Sequence, residues 1–189
     1  MSEAAGQAER DQPLLAWTPT TSTWFWWMGV GTMQLVAATL VYEFVAYHGQ
    51  IPMSLTINIT LAVVLYLALL AAHEGIHGLA TMAFGGRPEY GVLRAGRIPM
   101  GFYATAPGHR FERWPYILIA LAPTLIIAPL GVLLCWSPLG EFLWIPLGAH
   151  FGGCVGDLAI TRHVLAAPSG AFVEDLRDGL RIWSGSAVR

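Results

Sequence analysis

Four stretches of the chain are almost wholly apolar: residues 24–47, 55–84, 114–136 and 142 to about 160. Each approaches or exceeds the ~20 residues that a helix needs to cross hydrocarbon. Aromatic residues gather near their ends, among them Trp24, Trp26, Trp27, Tyr47, Trp114, Tyr116, Trp136 and Trp144. That is the distribution seen where membrane meets water. Helices of a soluble bundle would need polar outer faces, and these segments have none. The pattern predicts an all-α membrane protein with four transmembrane helices over residues 24–163. A polar tail, residues 1–23, is expected to be disordered, and residues 164–189 to form a second tail outside the membrane.

Polar residues between the apolar stretches refine this picture. The connector of residues 85–113 is long for a link between helices. Turn signals at Gly85-Gly86 and Ala95-Gly96 flank short segments rich in aromatic and β-branched residues, 90–94 and 98–104. These predict a short β-hairpin between the second and third spans. Residues 172–183 carry a weak amphipathic pattern (Phe172, Leu176, Leu180, Trp183), as of a helix lying on the membrane surface or packed on the domain.

Composition and charge agree with a lipid environment. The chain is 55% hydrophobic and 12% charged, where a soluble domain is about 25% charged. Its formal net charge of −2 and the lack of a basic face exclude nucleic acid as an expected partner. The N-terminus has no basic stretch before a short apolar core, so the first apolar segment is expected to be an uncleaved anchor. Cys135 and Cys154 both lie in apolar segments and suggest no disulfide framework. All ten basic residues are arginine. Five of them (Arg87, Arg94, Arg97, Arg110, Arg113) lie in the 85–113 connector and four in the C-terminal region, with none at 48–54 or 137–141. The positive-inside rule therefore places the connector, its hairpin and both termini in the cytoplasm of a multi-pass protein of the cell membrane.

The candidate chemistry lies in the second span, at His73-Glu74-Gly75-Ile76-His77. On a helix, residues four apart share a face, so both imidazoles can reach one metal ion. Glu74 is offset by one residue and can act as a base without being a ligand. Zinc lowers the pKa of a coordinated water, and the carboxylate accepts its proton. A charged residue at mid-bilayer costs about 3 kcal/mol, so three ionisable groups there call for a function.

A catalytic zinc takes a third protein ligand. The position six residues past His77, where metzincins carry a third histidine, is Ala83. Downstream, Asp157 in the fourth span is the one carboxylate inside an apolar segment. It shares a face with His150 and Cys154, at i, i+4 and i+7, and these two remain alternative ligands. A stripe of Gly148, Gly152 and Gly156 permits close helix approach, with Ala68, Ala72 and Gly75 of the second span as its expected counterpart. His48, His109 and His163 fall at helix ends or in connectors, where interfacial roles are expected.

The segment His73-Glu74-Gly75-Ile76-His77-Gly78 resembles the motif of the putative zincin peptidases, a family of small bacterial membrane proteins. Gly85-Gly86-Arg87-Pro88-Glu89-Tyr90-Gly91, Ala122-Pro123 and Gly156-Asp157-Leu158 also look like that family's later segments. The likeness covers roughly residues 55–183. More distantly, the plan is similar to that of the site-2 proteases, intramembrane zinc enzymes with HExxH on one helix and an aspartate ligand on a later one. Those enzymes carry their aspartate in an Asp-Gly context after Asn and Pro; here the order is Gly156-Asp157 with no such element before it. The resemblance implies a Zn2+ peptidase with His73, His77 and Asp157 as ligands and Glu74 as catalytic base. Its substrate would be a membrane protein or peptide within the lipid bilayer. The rival expectations are a non-proteolytic protein that binds or transports divalent metal, and a scaffold that sequesters membrane helices without turnover.

Overall fold

A computed structural model describes residues 12–45, 55–95, 97–137 and 139–185. In chain order the elements are β1 (Leu15–Trp17), α1 (Thr21–Val45), α2 (Leu55–Ala83), β2 (Glu89–Ala95), β3 (Ile98–Thr105), β4 (Arg110–Glu112), α3 (Arg113–Cys135), α4 (Gly140–Gly153), α5 (Val155–Ala166), β5 (Phe172–Leu176) and β6 (Gly179–Trp183). They fall into two compact units whose boundaries cut through helices, between His73 and Glu74, Leu121 and Ala122, and Asp157 and Leu158.

The expected all-α, four-span architecture is corrected on two counts. The fold is mixed, with six strands in two antiparallel sheets among the described residues. Among the described residues three helical segments, not four, are long and apolar enough to cross a membrane: Thr60–Ala83, Arg113–Cys135 and Phe142–Ala166. The first apolar stretch forms the helix α1 but is not among the three.

The unit holding residues up to 20, 74–121 and 158–189 is built around the larger sheet, of order β1-β6-β5-β4. Residues 172–183, expected as a surface helix, form the β5–β6 hairpin, with Leu176 opposite Gly179 across a two-residue turn. Their apolar residues fit a strand better than a helix. Leu180 and Ile182 are buried on either side of exposed Arg181, the period-two pattern of a sheet. β1 pairs with β6, Ala16 opposite Arg181, and β4 pairs with β5, Phe111 opposite Val173. Both edge strands have only three residues, which leaves little backbone for another chain to pair with. Phe111, Val173, Leu180 and Ile182 pack with Tyr116, Ile119 and Val164 into one apolar core. Burying each of the larger residues contributes about 1.5–3 kcal/mol.

Glu174 ties this sheet together. Its carboxylate accepts hydrogen bonds from the Gly108 N–H at 3.1 Å and the Trp183 indole at 3.2 Å. Arg113, at the start of α3, donates to the Leu165 carbonyl at the end of α5, where a cation suits the helix dipole. The smaller sheet, β2–β3, is a hairpin with Gly91 opposite Tyr103 and an irregularity between Leu93 and Arg94.

The second unit holds residues 21–73 and 122–157. Here α1 packs on α4 at a point where two glycines meet. A Cβ on Gly31 would stand 2.8 Å from the Gly152 carbonyl oxygen, and one on Gly152 would stand 2.7 Å from that of Gly31. The glycine stripe of the fourth apolar segment thus meets the first helix at Gly152, not the second. At Gly75 a Cβ would meet nothing within 4 Å.

Candidate metal centre

Helix α2 carries the motif, and its end is fixed two turns beyond His77. Gly85 adopts φ +83°, a conformation glycine takes without penalty. The Gly86 N–H reaches back to the Thr81 carbonyl at 2.9 Å and the Gly85 N–H to the Met82 carbonyl at 3.0 Å. This pair of bonds is a Schellman closure, which satisfies carbonyls that the helix end would orphan. Phe111 of β4 lies against Gly86, where a Cβ would stand 2.6 Å from its ring. The motif helix is thereby anchored to the sheet.

Within the second unit, His73 has a neighbour on each ring nitrogen. Its Nε2 lies 3.3 Å from Asp157 Oδ2. Its Nδ1 and His150 Nε2 share a hydrogen bond at 3.0 Å. His150 is 1% exposed, and Cys154, 2% exposed, places its sulfur 3.8 Å from His150 Nδ1. The three residues of the α4–α5 face, His150, Cys154 and Asp157, thus take different places. Asp157 and His150 stand on opposite nitrogens of His73, and the Cys154 sulfur lies near both imidazoles.

Within the first unit, Glu74 is partly buried, and His77 is buried with its Nδ1 2.9 Å from the Ile119 carbonyl of α3. An N–H there donates to the carbonyl, which leaves the lone pair of the neutral ring on Nε2. That carbonyl is available for a reason legible in the sequence. In an α-helix it would accept the N–H of the residue four places on, which is Pro123 and has none. His77 follows His73 by one turn of the unbroken helix α2, so the two imidazoles project from one face.

The donor set suits zinc. Two ligand atoms on a tetrahedral ion with bonds of about 2.0–2.1 Å lie roughly 3.3 Å apart. That is the separation of His73 Nε2 and Asp157 Oδ2. His73, His150 and Cys154 also offer three ligand atoms within 4.8 Å of one another, a set on the other nitrogen of the same ring. Among the described residues, the two remaining histidines take no part. His109 rests on Phe111, ring centroids 4.4 Å apart, and His163 on Trp17 at 4.5 Å, while His48 lies outside the described residues.

Two imidazoles on one helix, a carboxylate beside the first, and a second carboxylate at ligand distance make the residue set of a zincin-type metallopeptidase. The chain belongs to the putative zincin peptidase family, whose model matches residues 66–172. The match takes in the whole motif, α3, Asp157 and the first residue of β5. The family implies a metallopeptidase that binds zinc. No curated protein and no solved structure matches the chain.

Proposed function

We propose that this protein is an intramembrane zinc metallopeptidase that hydrolyses peptide bonds of membrane or membrane-associated substrates. The observation that carries this reading is the 3.3 Å approach of Asp157 to His73, made between two helices apolar enough to lie in lipid. His73, His77 and Asp157 are the residues that would hold zinc. When bound, zinc polarises the scissile carbonyl and makes water a competent nucleophile near neutral pH. Glu74 takes the proton of the attacking water and delivers it to the amide nitrogen as the C–N bond breaks. A substrate helix must unwind to present its carbonyl, and the β2–β3 hairpin has backbone edges on which an unwound strand can add.

A second reading has its own observation. Metal held by His73, His150 and Cys154 would make a non-proteolytic metal-binding protein with a thiolate ligand. It leaves His77 and Glu74 without a task, so the first reading accounts for more of the motif. The test is a comparison of membrane-protein fragments in cells expressing the wild type or Glu74→Gln. Hydrolysis predicts fragments present with the wild type and absent with the variant, at equal protein level. Identical fragment profiles would reject the peptidase reading.

A further inference from the structure

Resting on the zinc reading above, we propose that His150 and Pro123 are positioning residues that hold the two metal-binding imidazoles by their Nδ1 atoms. The His73 ring is gripped at Nδ1 by His150, at 3.0 Å. The His77 ring is gripped at Nδ1 by the Ile119 carbonyl, at 2.9 Å. The carbonyl fixes for His77 the tautomer whose Nε2 carries the lone pair. The bond to His150 accommodates the same tautomer in His73, which a metal on its Nε2 requires. Each bond stops the ring from turning about its Cβ–Cγ bond. A ligand histidine held this way is oriented before the metal arrives and is a stronger base towards it.

The two grips have different origins. For His77 the acceptor is backbone, and Pro123 makes it so. Any other residue at that position would supply an N–H to compete for the Ile119 carbonyl. For His73 the acceptor is a side chain. If His73 donates from Nδ1, His150 accepts on Nε2, so a neutral His150 carries its own proton on Nδ1, the atom 3.8 Å from the Cys154 sulfur. The thiol then serves as the weak acceptor that completes a chain from Cys154 through His150 to His73. At 1% exposure, His150 has no water shell to satisfy it instead. A buried imidazole without these bonds would be costly to keep. The same geometry removes His150 from the ligand set of the peptidase reading, since its Nε2 is occupied by His73.

The experiment measures zinc affinity of the purified protein in detergent by competition with a chromophoric chelator. Cobalt-substituted samples are followed by visible absorption, which reports the number and kind of ligands. His150→Leu is expected to weaken zinc about 10–100-fold, the usual effect of losing such a partner. His150→Gln, whose amide oxygen can accept the His73 N–H, should recover most of that loss. Pro123→Ala should weaken zinc by about tenfold. The cobalt spectrum should keep its band positions in all three variants, because the ligands themselves are unchanged. Equal losses in the Leu and Gln variants would reduce His150 to a packing role and overturn the proposal for it. Unchanged affinity in Pro123→Ala would overturn the proposal for Pro123. A cobalt spectrum altered in His150→Leu would make His150 a ligand, against the inference. A wild type that binds no zinc would reject the zinc reading itself, and this inference with it.

Discussion

Replacing Gly152 by alanine tests how the helices are held around the candidate centre. The new Cβ would stand 2.7 Å from the Gly31 carbonyl oxygen and 3.1 Å from its carbonyl carbon and Cα. Ordinary contact begins at 3.4 Å, so the clash is about 0.7 Å deep at the oxygen. All three atoms are backbone, so no rotamer change relieves it and α1 and α4 must separate. Overpacking of this kind costs about 1–3 kcal/mol. Alanine recovers about 0.5–1 kcal/mol as the better helix former, leaving a net loss of up to about 2.5 kcal/mol. The consequence extends to the site, because His150 lies two residues before Gly152 on α4. A shift of half the clash would stretch its 3.0 Å bond to His73 towards the limit of a hydrogen bond. The assay is thermal unfolding in detergent together with zinc affinity. Gly153→Ala serves as control, since a Cβ there meets nothing within 4 Å. Gly152→Ala should lower both the midpoint and the affinity, and the control neither. Equal behaviour of the two variants would refute the close approach of α1 and α4.

Gly78→Ala should displace Tyr90, because the Tyr90 hydroxyl occupies the place of the missing Cβ. Hydrogen exchange over Glu89–Thr105 is expected to quicken, while Gly75→Ala leaves it unchanged; equal exchange in the two variants would contradict this packing. The pairing of β4 with β5 keeps residues 110–112 and 172–176 on one side of a membrane crossed by α3 and by α4–α5, and the concentration of arginine in residues 85–113 predicts that this side faces the cytoplasm. Cysteines at Arg94 and Arg181 should escape a membrane-impermeant maleimide added to intact cells, and one at Gln50 should react; the reverse pattern would overturn the orientation.

The motif and the apolar segments were legible in the sequence because each depends on local spacing. His73 and His77 need only a helix to share a face, and Asp157 stands out as a carboxylate within an apolar stretch. The β1-β6-β5-β4 sheet was not legible, for two reasons. Leu15–Trp17 and Arg110–Glu112 are too short to show alternation, and their partners are distant in sequence. Phe172, Leu176, Leu180 and Trp183 happen to recur at helical spacing, which hid the better clue of Asp178-Gly179 beside alternating Leu180 and Ile182. The partner of Gly152 was likewise a matter of tertiary packing; Gly31 has the same small-residue character as Ala68 or Ala72, and nothing local separates them. The hold of Ile119 on His77 has a signal in the sequence, since Pro123 marks the carbonyl four residues before it as available. His150 gave no signal beyond its place on the Asp157 face, because its contact with His73 depends on how far apart the helices sit.

The central claim is that His73, His77 and Asp157 hold zinc while Glu74 does the proton work. Elemental analysis of the purified protein tests it most directly. The wild type and Glu74→Gln should each carry about one zinc per chain, the capacity of a single such site. His73→Ala, His77→Ala and Asp157→Ala should each lose most of it, and Cys154→Ser should keep it. Full zinc in Asp157→Ala with loss in Cys154→Ser would contradict the account, and would place the metal on the other nitrogen of His73.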